Sequence, residues 1–346
     1  MRLTARQSTD NQVAPMSRWR DWITMLLEFE AAQDIDDVGA GAATAAAIDF
    51  RLLGLVRKAF PQLTIQTSRL DQSGGDHVLL IVNDELAFRF PRAGMHDLRL
   101  EIEVLRQLRH RSSLQLPTYD YVDCDGRFGG YRFIEGVALT TERFGALGVA
   151  RQTKVLADAA QFLIALHDLP QAEVAWSGDW PRTWSAAQFV DRFLAQRLPM
   201  LVEHAPQLAS PLRAFYTDYR LDYPQHLVIV HGDLVGEHLM IDGAGSSLVG
   251  IIDFGDVALG DPAQDLLGFW NYGQDAVTRI VARYDPYGND PGLLRRSHNH
   301  FIRYRIDCLF EALSLGIGPS MSKNIAAVGA LLTTSNHYNQ RTFRRR

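Results

Sequence analysis

The chain has 346 residues, 47% of them hydrophobic and 22% charged, with a net charge of -5 and an isoelectric point near 6.1. This is ordinary globular composition, with apolar material for one large core or two modest ones. The acidic balance argues against a nucleic-acid or anionic-membrane partner, and no apolar run approaches the roughly 18 residues of a membrane helix.

The two cysteines, Cys124 and Cys308, lie far apart without metal-ligand spacing, as expected of thiols in a reducing compartment. Arg2 and Arg6 are not followed by a compact apolar segment and cleavage site, so no signal peptide is expected and the cytoplasm is the expected location. A monomer or weak dimer is expected.

In chain order, residues 1–16 are polar and aperiodic, and a short amphipathic helix is predicted around Trp19 to Glu30. The low-complexity run Gly39 to Ala47 is a linker or the opening turn of a helix. Residues 1–47 read as a partly flexible extension. A helix is predicted from Phe50 to Phe60, stopped by Pro61. Ser73-Gly-Gly-Asp-His77 then leads into the apolar strand Val78–Val82, with a two-residue hairpin turn expected at Asn83-Asp84. The return strand Leu86–Phe90 alternates, with Leu86, Phe88 and Phe90 on one face and Ala87 and Arg89 on the other.

A helix from about His96 to His110 follows, with Leu98, Ile102, Leu105 and Leu108 on its apolar stripe and Glu101 at the edge. Two further strands are predicted, Tyr119–Val122 and Gly130–Ile134, turning at Asp125-Gly126. Residues 48–136 thus read as a small antiparallel-sheet lobe. Residues 137–340 read as a mostly helical lobe, with Val155–His167 as one helix and a β island from Leu227 to Ile252. Arg344 to Arg346 are expected to form a solvated tail.

The strongest chemical signal is His231-Gly-Asp-Leu-Val-Gly-Glu-His238, placed directly after the apolar strand Leu227–Val230. A strand, a turn and a returning strand follow, ending at Asp253-Phe-Gly255. A hairpin returns its second strand to the end where the first began, so Asp253 is predicted beside His238 and within reach of the Asp233 loop. Phosphoryl transfer needs such a pair. One carboxylate orients the attacking hydroxyl and takes its proton, while another holds the metal that bridges the nucleotide phosphates.

His231-Gly-Asp-Leu and Ile252-Asp-Phe-Gly resemble the catalytic and metal-binding loops of the aminoglycoside phosphotransferase family, which shares its fold with protein kinases. The resemblance runs from about Leu70 to Leu315. It includes Phe88-Arg-Phe-Pro91 with Glu101, Leu105 and Leu108, the hinge-like Tyr131-Arg-Phe-Ile-Glu-Gly136 with Leu139-Thr140, Phe162–His167, and Gly260-Asp-Pro-Ala-Gln-Asp265. The hinge and the Arg283-Tyr-Asp285 block are most similar to the 2''-type enzymes, and macrolide kinases also resemble the catalytic segment, including its histidine at 238.

The resemblance implies an α+β, bilobal, protein-kinase-like fold. It implies a small-molecule O-kinase that uses magnesium and ATP or GTP to phosphorylate a hydroxyl of an aminoglycoside-like antibiotic, an activity associated with resistance. Asp233 would be the catalytic carboxylate and Asp253 the principal metal ligand. Asp265 would brace the catalytic loop through backbone N–H bonds. Ser73, Gly74 and Gly75 would lie over the phosphates, Glu135 to Val137 would meet the base, and Arg89, positioned by Glu101, would clamp the phosphates.

Two positions depart from the family pattern. Arg89 replaces its lysine, which keeps the charge and changes the geometry. His238 replaces its metal-binding asparagine and would hold the ion, a water or a phosphate, or serve as a structural histidine. Alternative readings are a macrolide or metabolite-alcohol kinase, and a nucleotide-binding pseudokinase regulator. An acidic acceptor site favours aminoglycosides, with Glu237, Asp256 and Asp261 as candidates, the last two also read as turn caps.

Overall fold

A computed structural model describes residues 40–72, 77–91, 98–174, 190–191, 193–222, 224, 226–245, 247–314 and 322–333. The expected helix at 19–30 and the expected phosphate-turn residues Ser73, Gly74 and Gly75 lie outside these residues. Contacts divide the chain into two compact units, residues 1–98 with 119–132, and residues 99–118 with 133–346.

The first unit is built on one antiparallel sheet. Its strands are β1 (Ser68–Asp71), β2 (His77–Val82), β3 (Leu86–Pro91), β4 (Tyr119–Val122) and β5 (Gly129–Arg132), in spatial order β1-β2-β3-β5-β4. Helix α1 (Ala40–Ala59) takes in the low-complexity run, so the alanine-rich stretch from Ala40 is helix and not linker. Alanine has the highest helix propensity, and after Gly41 in the first turn no glycine or proline interrupts the run before Gly54. Leu52, Val56, Phe60, Val78, Leu80, Phe88, Phe90 and Phe128 form the core. Phe90 stacks on Phe128 with ring centroids 4.6 Å apart. Period-2 alternation delivers Val78, Leu80, Phe88 and Phe90 to that core face.

The β2–β3 turn corrects the sequence expectation. The ladder pairs Val82 with Leu86, so the connection is three residues, Asn83 to Glu85. Asn83 and Asp84 both take φ of 55°, which their short polar side chains tolerate. The Asn83 carboxamide also accepts from Gln66 N at 2.8 Å and donates to Thr64 O at 2.8 Å, which ties the turn to the chain before β1.

The second unit contains α2 (Arg99–Leu108), and the buried stripe of this helix differs from the expected one. Leu100, Glu101, Val104, Leu105 and Leu108 are buried, while Ile102 is only half-buried. Glu101 therefore sits in the stripe at the i, i+3, i+4, i+7 spacing, not at its edge.

Helix α3 (Thr141–Ala146) is N-capped by the Thr140 side chain. The long α4 (Val149–His167) buries Val155, Leu156, Ala159, Phe162, Leu163 and Leu166, and carries His167 at its last residue. A second apolar core joins Phe193, Leu198, Leu201, Leu212, Tyr216, Ile302, Ile306 and Leu309 from the following helical segments. Each such side chain, fully buried, contributes about 1.5–3 kcal/mol.

Short strands support the chemistry-bearing loops. β6 (Val137–Ala138), β7 (Val228–Val230), β8 (Leu239–Ile241), β9 (Leu248–Ile251) and β10 (Ala258–Gly260) form a three-stranded sheet, β6-β8-β9, and the pair β7-β10. Beyond them come a 3-10 segment (Pro262–Tyr272), α5 (Gln274–Tyr284) and α6 (Leu293–Ser314). No helix of the described residues is long and apolar enough to cross a membrane.

Candidate active site

The β8–β9 hairpin pairs Leu239 with Ile251, and Ile252 N donates to His238 O at 3.1 Å. This register brings residue 253 beside residue 238. Asp253 has φ of 66°, a left-handed conformation uncommon outside glycine, and there the chain leaves the ladder. Its Oδ2 lies 3.5 Å from His238 Nε2. Asp233 Oδ2 lies 3.5 Å from the other ring nitrogen, Nδ1. The structure thus gathers Asp233, His238 and Asp253 at one strand edge, with His238 between the two carboxylates.

The main chain of Asp233 is held on both sides. Its N–H donates to His231 Nδ1 at 3.4 Å, and its carbonyl accepts from His238 Nδ1 at 2.7 Å and from Val235 N at 3.0 Å. His231 is fully buried, and burial pushes its pKa down to about 4, so the ring is neutral at ordinary pH. It donates from Nε2 to Ile252 O at 3.1 Å and packs on Phe254 at 4.6 Å between ring centroids. His231 therefore ties the 233 loop to the 253 loop.

Below the loop, Asp265 is completely buried and accepts from His231 N at 2.7 Å and Gly232 N at 2.9 Å. His167 Nε2 donates to Asp265 Oδ2 at 3.1 Å, and the Tyr284 hydroxyl bonds His167 Nδ1 at 2.8 Å. Burial raises the Tyr284 pKa, so the phenol keeps its proton and donates it. Gly232, at φ 88°, has no room for a side chain, because a Cβ would meet the Asp256 carbonyl. The resemblance implies Asp265 as a brace, and these two backbone bonds match it; nothing in the sequence points to the His167–Tyr284 relay behind it.

Asp261 is not an acceptor-facing acid. It is 2% exposed, caps the 3-10 segment by accepting from Ala263 N at 2.9 Å, and takes both a fork from Arg296 and a bond from His300 at 3.0 Å. Burial alone would raise its pKa, but the His300 and Arg296 hydrogen bonds and charges outweigh burial and hold it at about 2. Glu237 is exposed and Asp256 half-buried. On α6, the Tyr304 phenol is kept protonated first by burial and also by Cys308, Asp233 and Glu237, which places it in the field of the Asp233 loop.

Glu135 and Val137 are exposed on the way into β6, which pairs Val137 with Ile241. They share a sheet with the hairpin that carries His238. Arg89 is 3% exposed in the first unit, not a surface residue, and Glu101 is 4% exposed in the second.

The donor set beside Asp253 fits a divalent cation. His238 Nδ1 is engaged by Asp233 O, so in the neutral ring the Nε2 lone pair faces Asp253. Two donors 3.5 Å apart can both reach an ion at the roughly 2.0–2.2 Å of such bonds. Asp123, Cys124 and Asp125 also cluster, but Asp123 and Asp125 both pair with Arg127, at 2.9 and 3.4 Å, which makes the group a turn brace.

Comparison with known proteins shows the family and the fold. Residues 67–296 match the phosphotransferase enzyme family, and the chain belongs to that family. Among solved structures, the GDP and kanamycin complex of APH(2")-IIia superposes with a TM-score of 0.70 at 22% identity, covering 82% of this chain and 99% of that one. Macrolide 2'-phosphotransferase MphH from Brachybacterium faecium gives 0.54 at 19% identity, covering 82% and 97%. These likenesses establish the kinase-like fold. Viomycin phosphotransferase from Streptomyces vinaceus is 38% identical over 68 residues, 18% of this chain and 23% of that protein. The chain thus matches less than a quarter of that curated relative's length.

Proposed function

We propose that this phosphotransferase is a small-molecule O-kinase that moves the γ-phosphoryl group of ATP or GTP to a hydroxyl of an aminoglycoside-like antibiotic. The observation that carries the reading is the Asp233–His238–Asp253 constellation, with both carboxylates within 3.5 Å of one imidazole. Asp233 orients the acceptor hydroxyl and takes its proton, from a loop clamped by His231, His238 and Asp265. Bound magnesium would neutralise charge on the phosphates, and Asp253 with His238 would hold it. Arg89 contributes positive charge to the phosphates, with Glu101 as its expected partner, and backbone groups of Glu135 to Val137 meet the base. Residues 48–136 serve the nucleotide and 137–340 the acceptor. The remaining catalysis is positioning and electrostatics.

Solved relatives complexed with GDP and kanamycin support the donor and acceptor classes. A macrolide acceptor is the second reading, favoured by the histidine at 238. The protein is read as a cytoplasmic monomer or weak dimer without a nucleic-acid or membrane partner. Purified protein with magnesium, ATP or GTP, and a panel of aminoglycosides, macrolides and amino alcohols tests the reading. Acceptor-dependent nucleotide consumption is expected with an aminoglycoside. Consumption with macrolides alone shifts the reading to the second, and nucleotide binding without transfer to any acceptor would leave a pseudokinase.

A further inference from the structure

In the first unit, the ladder pairs Leu79 with Arg89 and His77 with Pro91. His77, Leu79 and Arg89 therefore share one face of the sheet, opposite the face that carries Val78, Leu80, Phe88 and Phe90 into the core. On that face Arg89 Nη2 donates to His77 Nδ1 at 2.9 Å. A guanidinium can only donate, so Nδ1 must be the acceptor and the ring proton of a neutral His77 sits on Nε2. His77 opens β2 and is half-buried, and Arg89 is almost fully buried.

The contact has a chemical consequence. A long side chain carries about 2 kcal/mol of rotamer entropy, and a planar fork recognises phosphate only when its plane is set. A bond at Nη2 sets that plane. A neutral imidazole at this place holds the guanidinium without adding a negative charge of its own. We propose that His77 is a positioning residue for nucleoside triphosphate binding, acting by fixing the guanidinium of Arg89 toward the phosphates. This rests on the assignment of Arg89 as the phosphate clamp.

The test measures calorimetric affinity of the full chain for magnesium with a non-hydrolysable ATP or GTP analogue, and for adenosine or guanosine alone. His77→Leu should weaken triphosphate binding about tenfold, the scale of one hydrogen bond to a charged group, and leave nucleoside binding unchanged. His77→Asn should recover most of the loss, because the asparagine Oδ1 stands where Nδ1 stood. In an Arg89→Met background, His77→Leu should have no further effect. If His77→Leu does not fold, His77→Gln, which lacks an acceptor at the Nδ1 position, takes its place against His77→Asn. Arg89→Met weakening triphosphate binding while His77→Leu does nothing overturns the proposal and spares the clamp. Unchanged affinity in Arg89→Met removes the clamp and the proposal with it. Equal loss of nucleoside and triphosphate binding reduces His77 to a structural residue and overturns the proposal.

Discussion

Four of the six aspartates between residues 233 and 265 fall into two pairs with opposite environments. The side chains of Asp233 and Asp253 are 40% and 45% exposed, whereas those of Asp261 and Asp265 are 2% and 0%. The sealed pair is saturated by the protein. Asp265 takes two backbone N–H groups and His167, while Asp261 takes Ala263 N, Arg296 and His300. In each case the histidine is bonded in turn by a tyrosine, Tyr284 or Tyr219. A buried carboxylate survives only when its lone pairs are met in this way. The open pair borders solvent and shares one histidine, and its carboxylates can exchange water for ligands. Sealed acids build the platform and open acids stand on it.

The largest effect is expected at the open pair. Asp253→Ala should abolish magnesium-dependent nucleotide binding together with activity, since the carboxylate supplies the charge in the N,O donor pair. Calorimetry with and without magnesium checks this, and a variant that binds magnesium–nucleotide as well as the parent would place the metal elsewhere. Asp233→Asn should lower turnover by at least ~100-fold, the scale of losing a general base. Nucleotide affinity should barely change, so a large rise in the nucleotide KM would show that Asp233 does not face the acceptor hydroxyl.

The sealed pair should answer in stability, and with pH. Asp261 ionises near 2 in the folded protein against 3.8 for the free group, so above pH 3.8 its stabilising contribution is complete. As pH falls toward 2 the unfolded chain binds the proton first, and about 2 kcal/mol is lost. Asp261→Asn should melt lower at neutral pH and show less of that acid slope. Equal slopes in the two proteins between pH 4 and 2 would remove the Arg296–His300 cluster from the account.

The open pair was the more legible in sequence. Asp233, His238 and Asp253 lie on one strand–loop–hairpin unit, where short-range turn and register rules suffice to bring them together. The sealed relays join residues 98 and 117 positions apart, His167 to Asp265 and to Tyr284, and no local periodicity encodes such a pairing. Arg89 and His77 needed the β2–β3 register, which the three-residue turn sets. Strand β1, Ser-Arg-Leu-Asp, lacks an alternating apolar pattern and forms through its pairing with β2. Ile102 was read as buried because it fits the helical period; Glu101 and Val104 fit an adjacent stripe equally well, and tertiary packing decided between them.

The smallest and most discriminating effect concerns the histidine between the open acids. Imidazole nitrogen suits transition metals better than magnesium, so a site holding its ion through His238 Nε2 and Asp253 should bind manganese in preference to magnesium. His238→Asn replaces the nitrogen with an oxygen donor and should shift the manganese-to-magnesium affinity ratio toward magnesium by roughly 3- to 10-fold, a modest change because one ligand of several is exchanged. Spin resonance of bound manganese with nucleotide reads the ratio independently of turnover. The same variant removes the ring that donates to Asp233 O at 2.7 Å, so a separate fall in turnover at saturating metal would report the loosened loop. A flat metal ratio with a raised nucleotide KM would move His238 from the ion to a bridging water or a phosphate. No change in the metal ratio, the nucleotide KM or turnover would leave the ring no role in the metal site and only a structural one on the loop.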